Sequence, residues 1–123
     1  MRKANLSIYA TVLSVLVALE FFYIMYLETF ATASASTARV FGMSQEELEN
    51  KNLNTLFKNQ GVYNGLLGLG IFYALVYNPS LILPIMIYIV AVAAYGAATS
   101  NPKILLTQGG LAILTIAATI FLG

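Results

Sequence analysis

The sequence predicts an all-α integral membrane protein: a four-helix antiparallel bundle with a short interfacial amphipathic helix between spans one and two. Hydrophobic residues make up 59% of the 123 residues and charged residues only 9%, whereas soluble domains carry about 25% charged residues. A soluble chain this short does not bury so much apolar surface. The sequence also holds four apolar runs close to the length that crosses a hydrocarbon core. We therefore expect a single multi-pass domain, residues 1–123, in the cell membrane, with lipid as its main partner.

Composition excludes several classes of function. The formal net charge of +1 provides no basic field for nucleic acid. The chain contains neither cysteine nor histidine, which rules out a zinc site of the usual kind and a Ser-His-Asp triad. Glu20 and Glu28 alone are too few for a carboxylate metal site, and no Gly-rich nucleotide loop follows a strand. The sequence thus predicts no metal and no cofactor.

The four predicted spans cover about residues 6–28, 60–77, 81–99 and 103–122. The first resembles a signal peptide, because Arg2 and Lys3 precede it and Ala33-Ser34-Ala35 follows it. Its apolar run is too long for a signal core and contains a glutamate. We therefore interpret it as a true span.

Two proline turns separate the later spans. Pro79 in Asn78-Pro79-Ser80 cannot continue the preceding helix. In Ser100-Asn101-Pro102, the asparagine is a candidate N-cap and the proline suits the first helical position. Because both turns are short, spans two, three and four must alternate in direction.

The linker after span one differs from the spans. Residues 29–37 are small and hydroxyl-rich and are interpreted as a loop. Ser44 followed three residues later by Glu47 is a capping box, which predicts a helix over residues 45–57. Its partly apolar face favours a position flat at the headgroup level; a lid over the polar end of the bundle is the alternative.

Polar residues concentrate at one end of the predicted bundle. In an alternating bundle the end of span one, the start of two, the end of three and the start of four share one side of the membrane. This half contains the ligand-binding candidates Glu20, Tyr23, Glu28, Asn59, Gln60, Tyr63, Asn64, Tyr95, Lys103 and Gln108. The sequence therefore predicts a polar pocket that opens on the side of the linker.

Glu20 is the most unusual of these residues. An ionisable side chain at the centre of a span costs about 2.5–3.5 kcal/mol. Either hydrogen bonds to Gln60, Asn64 or Gln108 stabilise Glu20, or it serves as a ligand or proton site. Glu28 is expected to reach the interface, where glutamates are common.

Gly61, Gly65 and Gly68 form a second face of span two. Small residues at such spacing let two membrane helices approach closely. The face is interpreted as a packing surface, with association between copies of the chain as one use of it.

Three motifs carry a family resemblance. They are Leu19-Glu20-x-x-Tyr23-Ile24-x-Tyr26-Leu27-Glu28, Arg39-Val40-Phe41-Gly42-Met43 and Asn59-Gln60-Gly61-x-Tyr63-Asn64-Gly65. In them the chain resembles a bacterial membrane family known as domain of unknown function 1304. The resemblance implies a four-span bacterial membrane protein and implies no activity.

The leading functional hypothesis is binding or transport of a small polar or amphipathic ligand, with Glu20, Gln60 and Asn64 as its contacts. One alternative is a membrane-embedded enzyme that uses Glu20 or Glu28 as general acid or base. Another is a structural helper that associates through the glycine face of span two. The sequence leaves the ligand, the orientation of the termini and the oligomeric state open.

Overall fold

A computed structural model describes residues 6–100 and 102–122 of the chain. Its elements are helices and turns: α1 (Ile8–Met25), a π turn (Tyr26–Phe30), α2 (Ala35–Phe41), α3 (Gln45–Glu49), α4 (Lys51–Tyr77), a 3-10 turn (Pro79–Leu81), α5 (Ile82–Thr99) and α6 (Lys103–Phe121). The predicted all-helical class is confirmed for this part of the chain. The chain separates into two compact units. One unit holds residues 19–69, and the other holds the described residues of 1–18 and 70–123.

Three helical segments of the described chain are long and apolar enough to cross a membrane. They are Ile8–Phe30, Pro79–Thr99 and Lys103–Phe121. Their length and composition indicate a membrane protein, as the sequence predicted. Helix α4 is not among them, because Gln60, Asn64 and several glycines lower its mean hydropathy.

Helices α5 and α6 form an antiparallel hairpin in the second unit. A Cβ added at Gly109 would lie 3.2 Å from the Ala93 Cβ, and one added at Gly96 would lie 3.2 Å from Ile104. Gly96 near the end of α5 faces Ile104 near the start of α6, and the earlier Ala93 faces the later Gly109, so the two helices are antiparallel. The helices can approach this closely because one member of each pair has no side chain. Asn101, the predicted cap of this last helix, lies outside the described residues, and Pro102 immediately precedes α6.

The capping box predicted at the start of α3 is present. The Glu47 N–H donates to Ser44 Oγ at 3.0 Å, and the Ser44 N–H donates to Glu47 Oε1 at 2.9 Å. The Ser44 backbone N–H, and after it the Ser44 side chain, hold the pKa of the exposed Glu47 carboxyl below its ordinary value. Two of the orphan amides at this helix end are thereby satisfied.

The helix after this box differs from the prediction. Instead of one helix over 45–57 and a separate span from residue 60, α3 ends at Glu49 and α4 runs unbroken from Lys51 to Tyr77. Asn50 makes the break, since its Oδ1 accepts the N–H groups of Asn52 and Leu53 at 3.1 and 3.2 Å. Asn50 therefore caps α4 as asparagine caps helices generally. A position of residues 45–57 at the headgroup level stays a prediction.

Candidate functional site

The candidate site begins where α1 changes its hydrogen-bonding pattern. The Ala31 N–H donates to the Tyr26 carbonyl, five residues earlier, at 2.9 Å. This longer bond defines the π turn Tyr26–Phe30. Single π turns are uncommon and frequently occur at functional sites. Here the turn contains Glu28, one of the candidate residues.

Threonine hydroxyls satisfy the carbonyl groups around this turn. Thr32 Oγ1 donates to the Glu28 carbonyl at 2.7 Å. Thr37 Oγ1 lies 2.7 Å from the Ala31 carbonyl and 3.0 Å from the Leu27 carbonyl, so its single proton serves one of them at a time. Buried carbonyls left without donors would be costly. The segment predicted as a loop is therefore a hydrogen-bonded end to the span.

The Glu28 side chain points into the protein and meets helix α4. It is only 1% exposed, and its Oε1 accepts a hydrogen bond from Asn64 Nδ2 at 2.6 Å. Glu28 and Asn64 are 36 residues apart in sequence, so this bond ties the end of the first apolar segment to α4. Sequence reasoning did not predict this buried contact, and the position of Glu28 at the membrane interface stays a prediction.

Two glycines of α4 allow this approach. A Cβ added at Gly61 would overlap Thr29 Oγ1 and lie 3.1 Å from the Glu28 Cβ. A Cβ added at Gly65 would overlap the Met25 sulfur. Thr29 Oγ1 also donates to the Lys58 carbonyl at 3.0 Å. Gly61 and Gly65 thus pack against residues of the same chain, and α4 runs antiparallel to the end of α1.

Glu20 is a second carboxyl of this unit, two turns before the π turn. Its Oε1 is buried and has no hydrogen-bond partner among the described residues. The rest of the side chain is only partly buried. The predicted bonds from Gln60 or Asn64 to Glu20 are not made, because Asn64 donates to Glu28 and Gln60 is exposed.

The family model described as "Protein of unknown function (DUF1304)" matches residues 15–120. The chain belongs to this family. A relative in Lactococcus lactis, "Uncharacterized protein YpaA", is 57% identical over 119 residues, which cover 94% of this chain and all of the relative. No solved structure matches the chain.

Two of the three motifs by which the chain resembles the DUF1304 family meet in the structure. The first ends at Glu28, and the third contains Gly61, Asn64 and Gly65, which are the residues that contact the end of the first apolar segment. The second motif ends α2, where Gly42 adopts a left-handed conformation with φ of 67°. Its Phe41 ring meets the Phe57 ring edge-on at 5.2 Å between centroids.

The other predicted site residues of this DUF1304 protein are placed as follows. Tyr23, Asn59, Gln60 and Tyr63 are exposed, and Gly68 is buried, in the unit that contains Glu28. In the second unit Tyr95 and Lys103 are exposed and Gln108 is half-buried. A convergence of Tyr95, Lys103 and Gln108 with Glu28 and Asn64 therefore stays a prediction.

Sequence reasoning missed the threonines that complete the site. Thr29, Thr32 and Thr37 were interpreted as loop residues, although each donates to a main-chain carbonyl. One signal was available: three threonines lie within the nine residues that follow Glu28 at the end of the span. A helix end inside a membrane protein needs donors for its last carbonyls, and hydroxyls are suitable donors.

Proposed function

We propose that the chain is a multi-pass protein of the cell membrane with four crossings. Helix α4 makes the second crossing along the chain, in addition to the three apolar segments. The helix has 27 residues, which corresponds to about 40 Å at 1.5 Å per residue and exceeds the roughly 30 Å of a hydrocarbon core. The contacts at Gly61 and Gly65 show that α4 runs antiparallel to the end of the first apolar segment. This direction supports a return through the bilayer. The polar first turns of α4 would then extend beyond the core.

This topology makes a prediction that cysteine labelling tests cleanly, since the chain has no cysteine of its own. Single variants Ser44→Cys, Ser80→Cys and Ser100→Cys replace exposed serines between the helices. Four crossings place residues 44 and 100 on one side of the membrane and residue 80 on the other. Labelling of intact cells with an impermeant maleimide should group the variants in that way. If residues 44 and 80 are labelled from the same side, α4 does not cross.

Within this membrane protein, we propose that Glu28 and Asn64 form the centre of a site that binds or transports a small polar or amphipathic ligand. The observation that supports this is the burial of the Glu28 carboxyl inside an apolar segment. A charged side chain there costs about 2.5–3.5 kcal/mol, whereas a hydrogen bond between membrane helices contributes about 0.6–1.7 kcal/mol. A neutral amide would tie the same helices at lower cost. The carboxyl is therefore better explained by the exchange of a proton or ligand.

The contact between Glu28 and Asn64 leaves capacity for such a ligand. A carboxylate offers about four acceptor positions, and Asn64 occupies one of them at Oε1. Gln60 and Tyr63 lie near Asn64 on α4 and are exposed. They are suited to the approach of a polar molecule toward the buried pair.

The binding proposal predicts a molecule that co-purifies with the chain. We expect extraction of the wild-type protein from mild detergent, followed by mass spectrometry, to yield about one small polar or amphipathic molecule per chain. Glu28→Gln should reduce that content by roughly tenfold or more, because a charge-assisted hydrogen bond is worth about 1.5–3 kcal/mol.

Glu46→Gln is the matched control, since Glu46 is exposed on the short helix α3. It should retain the full content of the molecule. An equal content in all three proteins, or none in the wild type, would refute the proposed binding.

A further inference from the structure

Glu20 is a buried acceptor without a donor. It lies in the second half of α1, and its Oε1 has no hydrogen-bond partner among residues 6–100 and 102–122. Leaving a buried acceptor unsatisfied costs about 1–3 kcal/mol. Glu28, on the same segment, has its donor in Asn64. The difference between the two carboxyls points to a donor for Glu20 that comes from outside the described residues.

The cationic residues of the same unit are Arg39, Lys51 and Lys58. Their main-chain positions are at the π turn or farther from Glu20 than the π turn. The Lys58 carbonyl accepts from Thr29, nine residues after Glu20, which is about 13 Å along a helix. Lys51 lies seven residues farther along α4 in the direction away from Glu20. Arg39 is two residues from Phe41, whose ring meets Phe57 next to Lys58. These three side chains are therefore not placed to pair with the Glu20 carboxyl.

The surroundings of Glu20 indicate the chemistry of the missing donor. Leu19 and Tyr23, one residue before and one turn after it, are 52% and 54% exposed. They give an apolar approach to a residue that is itself only partly buried. A cationic N–H group forms the strongest hydrogen bond with a carboxylate, and an apolar body suits the flanking side chains.

We propose that Glu20 binds the ammonium group of a small amphipathic amine, whose apolar body lies against Leu19 and Tyr23. The inference deepens the proposed function by naming a ligand class, and rests on it for the idea that ligands enter this unit. It concerns a different carboxyl from the Glu28 and Asn64 pair. The proposal for Glu20 and the proposal for Glu28 and Asn64 can therefore be refuted independently.

Carboxyl NMR tests the proposal directly, because the five acidic residues of the chain are all glutamates. The protein is labelled with carboxyl-¹³C glutamate and placed in phosphatidylcholine nanodiscs, whose lipid contains no primary amine. The Glu20 signal is assigned by its loss in Glu20→Gln. Octylamine should shift this signal saturably and leave the signals of Glu46 and Glu49 unchanged. Octanol and octanoate, of equal chain length, should leave the Glu20 signal in place.

A second arm separates two sources of the ammonium group. If nanodiscs that contain phosphatidylethanolamine shift the Glu20 signal without octylamine, the lipid headgroup supplies the ammonium. Thermal shift gives an independent readout: octylamine should stabilise the wild type and Glu28→Gln, and Glu20→Gln should weaken its apparent affinity by roughly tenfold or more. No shift at Glu20, or an equal shift with octanoate, overturns the proposal. If a co-purifying molecule is still lost in Glu28→Gln in that case, the proposed function stands without this ligand class.

Discussion

Replacing Gly61 with alanine is expected to destabilise the protein by about 1–3 kcal/mol, the usual cost of overpacking a well-packed site. The new Cβ would overlap Thr29 Oγ1 and crowd the Cβ atoms of Glu28 and Thr29 at 3.1 Å. Threonine is β-branched and has few rotamers available in a helix. Moving it would also break its bond to the Lys58 carbonyl. Helix α4 would have to shift away from the first apolar segment, which stretches the bond between Glu28 and Asn64.

Two other glycines of α4 provide graded controls. At Gly65 the nearest atom is the Met25 sulfur, which belongs to a flexible side chain, so Gly65→Ala should cost less than Gly61→Ala. At Gly70 an added Cβ meets nothing within 4 Å. Gly70→Ala should stabilise the helix by up to about 1 kcal/mol through propensity alone.

The measurement is unfolding of the purified protein in mixed micelles, followed by circular dichroism. The expected order of stability is Gly70→Ala above wild type, then Gly65→Ala, then Gly61→Ala. If Gly61→Ala proves as stable as Gly70→Ala, the close approach of α4 to the π turn is wrong.

The same contacts bear on the glycine face predicted from the sequence. Spacing alone could not tell whether Gly61 and Gly65 meet another copy or the chain itself. In the structure both lie against residues of the first apolar segment. A helper protein that associates through this face would have to release those contacts first, which makes this alternative the weaker one.

Several features of the fold could be predicted because they depend on neighbours in sequence. The capping box at Ser44 and Glu47 needs only a serine and a glutamate three residues apart. The turn at Pro79 follows from the missing N–H of proline, and the apolar length of α5 and α6 follows from the bilayer. None of these requires knowledge of a distant contact.

The centre of the site could not be predicted in the same way. Sequence reasoning assumed a regular α-helix for the first span, with a rotation of about 100° per residue. It favoured Glu20, Gln60 and Asn64 as the ligand contacts. The π turn adds one residue to a helical turn, so that regular spacing no longer applies at Glu28. Asn50 was missed because asparagine is equally suited to loops and caps. Its capping role depends on which N–H groups its side chain meets.

Asn64→Leu is expected to destabilise the protein by about 1–3 kcal/mol, because the buried Glu28 carboxyl then loses the donor that lies 2.6 Å from its Oε1. Glu28→Leu leaves the half-buried Asn64 amide without its acceptor, but it also removes the cost of burying the carboxyl, so it should destabilise the protein by less. The double variant Glu28→Leu/Asn64→Leu should be destabilised by less than the sum of the two single variants, since it leaves neither polar partner unsatisfied.

A double-mutant cycle in micelles measures this coupling. Interhelical hydrogen bonds in membrane proteins give coupling energies of about 0.6–1.7 kcal/mol, and we expect a value in this range for Glu28 and Asn64. Asn54→Leu in place of Asn64→Leu is the matched control, since the Asn54 amide donates to the Leu48 carbonyl instead; it should show no coupling to Glu28. A coupling near zero between Glu28 and Asn64 would contradict the bond. If the double variant is as stable as the wild type but has lost the co-purifying molecule, the carboxyl serves binding rather than stability.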